Sequence, residues 1–189
     1  MRHLPRAFLA ALATLFAAGA PAQVPESGYL CCNMRTDGSW ISDINYEESG
    51  KTMLPLGTPL KFKDYGRYRV YVEIAGKRQA LGNDYSRDLT KEQFAARYIQ
   101  AMDPRGKLAS APAKIRKAVE SARVAKGMTR AQVIMAVGYP VTSETPSLEA
   151  KVWKFWLWSF SPFTVFFDDR GRVTKVAGNE ETLAKVYLQ

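Results

Sequence analysis

Two adjacent cysteines, one histidine and a scatter of aspartates are the residues of this 189-residue chain best suited to covalent or acid–base chemistry. The histidine, His3, lies in a stretch that reads as a secretory signal over residues 1–22. Arg2 and Arg6 supply its charged region, residues 7–20 are almost wholly apolar, and Ala20-Pro21-Ala22 is an A-x-A cleavage site before Gln23. The apolar run falls short of the ~20 residues a membrane-spanning helix needs. Cleavage there removes the only histidine, which excludes Ser–His and Cys–His catalysis and any imidazole metal site. Carboxylate chemistry is what remains for an enzyme, with Asp43, Asp64, Asp84 and Asp88 as its groups if they converge in one cleft. No motif supports that reading, so the expectation is a non-enzymatic chain with no cofactor and no metal.

Cys31 and Cys32 are neighbours. An ordinary disulfide wants Cα atoms about 4.4–6.8 Å apart, whereas a trans peptide sets neighbours about 3.8 Å apart. On a strand the two side chains would also point to opposite faces. A buried strand with the thiols in a small core is therefore expected. A vicinal disulfide or an intermolecular bridge in an oxidising compartment is the alternative. Lipidation at Cys31 is not expected, because Gly28-Tyr29-Leu30 lacks the small residue that precedes an acylated cysteine.

The formal charge is +9, of which Arg2 and Arg6 account for two. From Arg105 to Arg130 the basic residues are Arg105, Lys107, Lys114, Arg116, Lys117, Arg123, Lys126 and Arg130, against Glu120 alone. Nucleic acid is set aside, because an exported chain rarely meets it. An anionic lipid surface, lipopolysaccharide or an acidic protein fits the compartment better. The plain alternative is a solvated helix face.

These groups need elements to position them, and the clearest lie between residues 112 and 178. Pro112 opens a helix over residues 113–125. Gly127-Met128-Thr129 leads into a short helix over 129–137, with Thr129 and Gln132 at capping-box spacing and Met128 with Val133 as a hydrophobic staple. Gly138 and Pro140 end it. Alternation then puts Trp153, Phe155 and Leu157 on one face of a strand, with Lys154, Trp156 and Trp158 on the other. Phe163, Val165 and Phe167 share a face of the next strand, opposite Thr164 and Phe166. Asp168-Asp169-Arg170-Gly171 is a hairpin loop, and residues 172–176 return as a third strand.

This order of pieces resembles the SmpA/OmlA family: Gly-Met-Thr-x-x-Gln-Val, Gly-x-Pro, a Trp-containing strand, then Phe-Asp-x-x-Gly-Arg-Val. The resemblance covers about residues 112–178. It implies a BamE-like component of the outer-membrane β-barrel assembly machinery, periplasmic or outer-membrane associated, with an envelope protein as partner. Members carry an acylated cysteine right after the signal peptide, and this chain departs from them there.

Residues 40–84 read as a small β unit. Tyr68, Val70, Val72 and Ile74 alternate with Arg69, Tyr71 and Glu73, and Ala75-Gly76 turns the chain back. Thr90, Gln93, Leu89 and Phe94 repeat the box-and-staple pattern for a helix to about Ile99. The predicted fold class is α+β: a small N-terminal β (SH3-like) domain over 23–103, a linker over 104–111, and a helix–helix–three-strand antiparallel BamE-like layer over 112–189. Trp156, Trp158 and Phe166, beside Lys154, then face away from the helices. Either the N-terminal domain covers them or they form a partner-binding patch. The functional expectation is an envelope interaction module. The alternatives are a secreted inhibitor of a soluble enzyme, similar in layer to β-lactamase inhibitory proteins, and the carboxylate hydrolase.

Overall fold

The computed structural model describes residues 24–189, so the proposed signal segment and its cleavage site lie outside the described residues. The chain is mixed α+β. In order it forms β1 (Ser27–Leu30), β2 (Met34–Thr36), β3 (Trp40–Ser42), β4 (Thr52–Leu54), β5 (Pro59–Gly66), β6 (Arg69–Ile74), β7 (Lys77–Gly82), α1 (Lys91–Tyr98) and β8 (Ile99–Gln100). A 3-10 helix (Pro104–Leu108) leads to α2 (Ala113–Glu120), β9 (Val124–Ala125) and α3 (Arg130–Val137). The chain ends with β10 (Val152–Trp156), β11 (Pro162–Phe167), β12 (Val173–Gly178), α4 (Glu180–Val186) and β13 (Tyr187–Leu188).

Apolar alternation drives the two larger of the four sheets among the described residues, the others being the two-stranded pairs β2-β4 and β9-β13. The first has the order β3-β7-β6-β5-β1-β8, antiparallel except for β3 beside β7. Val70, Val72 and Leu81 point inward from it onto Phe94 and Tyr98 of α1, with Leu30, Met34 and Ile41 filling the same core. The turn between β6 and β7 places both Ala75 and Gly76 at positive φ, the conformation a tight right-twisted hairpin requires. Tyr68 does not join Val70 in that core; it sits on the turn before β6 and is exposed. The second sheet, β10-β11-β12, turns Trp153, Phe155, Phe163, Val165 and Phe167 onto Ile115, Val119, Met128 and Val133 of the helical layer.

Both capping boxes form, Thr90 with Gln93 on α1 and Thr129 with Gln132 on α3. The helix expected over 113–125 instead stops at Glu120. Arg123 N–H donates to Ala118 O (2.8 Å) and Ala122 N–H to Val119 O (3.0 Å), a Schellman closure with Ala122 at φ +52°. An alanine in the left-handed position gives no glycine signal to read. The freed residues Val124 and Ala125 pair in parallel with β13. The cysteines also differ from expectation. They follow β1 rather than lie on a strand, and their sulfurs are bonded to each other.

The segment 104–111 is an ordered bridge, since Pro104, Leu108 and Ala111 are buried and the last two join the second core. The two halves meet at the C-terminal end of α3, where a helix leaves carbonyls without partners. Gly138 N–H takes Ile134 O (2.8 Å). The next three carbonyls are taken by the first half. Asn33 N–H donates to Met135 O (3.0 Å), Asn33 Nδ2 to Ala136 O (3.1 Å) and Asn45 Nδ2 to Val137 O (3.0 Å). Asn33 Nδ2 also reaches Val119 O (2.6 Å), while its Oδ1 accepts Leu56 N–H (2.7 Å). Gly138 at φ +88° lets the chain leave the helix here, and a Cβ on it would press on Met34 Sδ at 3.2 Å. Unsatisfied helix-end acceptors thus fix how the halves dock.

Candidate interaction surface

The outward face of β10-β11-β12 is the one turned away from the helical core. Strand alternation places Lys154, Trp156, Thr164, Phe166 and Lys175 there, and Trp158 continues the row past the end of β10. Each outward ring is half-covered by a lysine. Lys154 Nζ lies 4.5 Å from the Trp156 ring centre, Lys185 Nζ 4.8 Å from Trp158 and Lys175 Nζ 5.7 Å from Phe166. Two of these lysines are themselves held, Lys154 by Glu144 (2.9 Å) and Lys185 by Glu47 (3.3 Å). Such contacts at half-exposed positions contribute only about 0.5–1 kcal/mol each. The first half of the chain reaches this region through Glu47, whose N–H donates to Leu157 O (2.7 Å) and whose carboxylate holds Lys185. Lysine side chains lie over the rings, and Trp156 also shares a small cavity with Arg35, Ile44 and Asn45 of the first half.

At the end of this row the chain turns through residues 158–161, closed by Ser161 N–H to Trp158 O (3.0 Å). Phe160 projects from that turn with 90% of its surface exposed. Tyr46 approaches Ser159 and Tyr85, so Tyr46, Tyr85, Trp158 and Phe160 gather at one end of the molecule. Sequence reading missed Phe160, although Ser-Phe-Ser-Pro between two strands was a turn signal with an apolar residue at its tip.

The four aspartates only partly converge. Asp64 stays on β5, where its carboxylate accepts Tyr65 N–H (2.7 Å). Asp43 is buried and accepts from Asp84 N–H (3.3 Å) and Tyr85 N–H (3.1 Å). Asp84 accepts the Ser42 hydroxyl (3.0 Å), and Asp88 accepts the Thr142 hydroxyl. These carboxylates hold the loop 83–88 and dock it on residues 141–143, where Ser143 N–H donates to Tyr85 O (3.2 Å). Clefts of about 440 and 550 Å³ flank Tyr85, and Asp43 lines neither.

Burial pushes the Asp43 carboxyl up to about 6, outweighing the N–H bonds that favour its ionised form. Its usual value is 3.8. Near pH 3 it is protonated whether folded or unfolded and has no effect on stability. As pH rises from 4 to 6 the unfolded chain ionises first, so the folded state loses about 2–3 kcal/mol at ~1.36 kcal/mol per unit. Asp43→Asn should lack this loss. Denaturant titrations at pH 4 and pH 7 should show the variant gaining on the parent by that amount at the higher pH. Parallel profiles would mean that Asp43 ionises as freely in the folded chain as in water.

The basic residues of 105–130 do not form one patch. Arg105, Lys107, Lys114, Arg116, Lys117 and Lys126 are exposed, while Arg123 is half-buried. Arg130 turns inward: Nη2 donates to Glu149 O (3.0 Å) and Ala150 O (3.2 Å), and its guanidinium lies 4.9 Å from the Phe167 ring centre. It clamps the segment before β10 onto α3, which removes it from the proposed anion-binding set. Lys114 and Lys117 face solvent across α2 from Ile115 and Ala118. Because α2 packs on the inner face of β10-β11-β12, these lysines and the aromatic row lie on opposite sides of the layer.

A second cation–aromatic surface was not read from the sequence. On the first sheet Arg69 stacks over Trp40 (4.7 Å), Arg78 over Tyr71 (4.2 Å), and Arg67 and Arg87 over Tyr68 (5.2 and 4.7 Å). The alternation of Arg69, Tyr71 and Glu73 showed a wet face, but cross-strand register decides which ring meets which guanidinium.

No family model matches the chain, and no curated protein or solved structure matches it either.

Proposed function

We propose that this chain is a non-enzymatic interaction module of the cell envelope that docks a protein partner on the outward face of β10-β11-β12. The observation that carries this reading is the row of partly buried Trp156, Phe166 and Trp158, each under a lysine, ending in the exposed Phe160. Aromatic rings half-shielded by lysines stay soluble alone and offer large, stiff contact area once the lysines swing aside. The carboxylates Asp43, Asp84 and Asp88 are engaged with backbone and hydroxyl donors, which favours a binding role over hydrolysis.

The finer assignment is a BamE-like layer preceded by an SH3-like β unit. Its support is the order of the capping-box helix α3, Gly138, the Trp153 strand and the 168–171 hairpin around one core. On this reading the partner belongs to the outer-membrane β-barrel assembly machinery, the chain works from the periplasm or outer-membrane surface, and the exposed lysines of α2 face an anionic lipid or lipopolysaccharide. Photo-crosslinking residues placed at Trp156 and Phe160 in envelope-expressed protein should each give one discrete adduct with an assembly component. The same probe at Lys114 should not. Phe160→Ala should weaken association about tenfold or more without moving the melting temperature. Adducts that are equally strong from Lys114, or absent from both aromatic positions, would rule out this face.

Phe160 also favours a second reading. A bare ring on a hairpin tip can enter the pocket of a soluble enzyme, as an inhibitor would. Tight one-to-one association with a secreted enzyme, lost in Phe160→Ala, would favour it over the assembly role.

A further inference from the structure

A cleft of about 360 Å³ lies where the two halves and the 104–111 bridge meet, away from the aromatic row. That volume falls in the lower part of the ~300–1,000 Å³ range of small-molecule sites. Its floor is Pro55, Leu56, Leu108 and Val119. Asn33 also lines it, but that side chain is spent on Val119 O, Ala136 O and Leu56 N–H. The floor therefore offers no hydrogen-bonding group to a ligand. A peptide laid there would leave its backbone N–H and C=O groups without partners, whereas an alkyl chain needs none.

The rim supplies charge. Arg105 is committed to Asp103 through Nε (2.9 Å) and Nη2 (2.5 Å). That pair lies against Gly57 at φ +77°, where a Cβ would come within 2.7 Å of Asp103 Oδ1. Arg116 differs. One of its nitrogens donates to Ala111 O, and among the described residues it has no ion-pair partner. Glu120, one helical turn further along α2, also lines the cleft and repels a negative head toward the Arg116 end.

We propose that this cleft binds a single-chain fatty-acid-type amphiphile, its tail on the Leu56–Leu108–Val119 floor and its carboxylate on Arg116. A planar guanidinium with a free edge suits a carboxylate, and the apolar floor suits one unbranched tail rather than two.

Isothermal titration of the full chain with dodecanoate, held below its micelle concentration, tests this. Saturable binding at one per chain is expected, at least about tenfold tighter than dodecanol. Arg116→Ala should remove that preference while leaving dodecanol binding as it was. Arg105→Ala should change it less, because Asp103 already holds that guanidinium. Ala109→Trp, at an exposed position on the lining, should fill the cleft and abolish binding of both ligands with the melting temperature unchanged. Absence of saturable binding would overturn the proposal. So would binding that persists in Ala109→Trp, which marks detergent-like adsorption, or equal affinity for dodecanol in the parent, which removes the carboxylate contact.

Discussion

Asn33→Leu is expected to destabilise the chain by roughly 3–5 kcal/mol and to loosen the junction between its halves. The side chain is buried and makes three hydrogen bonds, to Val119 O, Ala136 O and Leu56 N–H. Leucine matches its size and is more apolar, so a purely hydrophobic account would forecast little change. Hydrogen-bond accounting gives the opposite sign, since a buried group left without its partner costs about 1–3 kcal/mol. Val119 O keeps Ala122 N–H, whereas Leu56 N–H has only Asn33. Asn33→Asp restores the acceptor for Leu56 but sets a carboxylate against two carbonyls, so it should be no better. Urea titration followed separately by tryptophan fluorescence and far-UV circular dichroism checks both parts. The probes should coincide in the parent and separate in Asn33→Leu, because all four tryptophans except Trp40 report on the second half. A cost under 1 kcal/mol with coincident transitions would mean that Asn33 is not what joins the halves.

Trp153→Ala should cost a further-reaching 3–5 kcal/mol, the range for emptying a large aromatic site in a packed core. Trp153 is 0% exposed, pairs across the sheet with Val165, and lies 4.8 Å edge-on to Phe167 and 6.3 Å from Phe155. Its Nε1–H finds no acceptor among the described residues. Trp153→Phe should therefore cost much less than the alanine change, about 1–2 kcal/mol, because the lost volume is partly offset by losing a buried unpaired donor. Denaturation midpoints of the two variants decide it. Equal losses for phenylalanine and alanine would mean that the indole nitrogen has a partner, such as a water.

The local elements were legible because their causes are local. Thr129 and Thr90 each sit three residues before a glutamine, and both boxes close as that spacing requires. Trp153, Phe155 and Leu157 alternate with Lys154, Trp156 and Trp158, and the strand obeys. The Asp168–Gly171 loop turns with Gly171 at φ +68° and Asp168 accepting Arg170 and Arg172 N–H. Even α4 left a signal, Asn179 before Glu180 and Glu181, which caps by accepting Thr182 N–H (2.7 Å) and was passed over.

What the chain order alone does not carry is anything set by partners distant in sequence. The three carbonyls at the end of α3 must find donors, but only the folded chain shows that Asn33 and Asn45, some ninety to a hundred residues away, provide them. Arg130 looks like one more surface cation until Glu149 O, Ala150 O and Phe167 surround it. Asp43 reads like Asp64 until burial separates their environments. Alternation within β10 already set Lys154 beside Trp156, but the lysines over Trp158 and Phe166 come from α4 and β12, so no periodicity within one strand reveals them. Capping and alternation act over a few residues and are written in the spacing; desolvation, ion placement and docking act through space, and tertiary structure decides them.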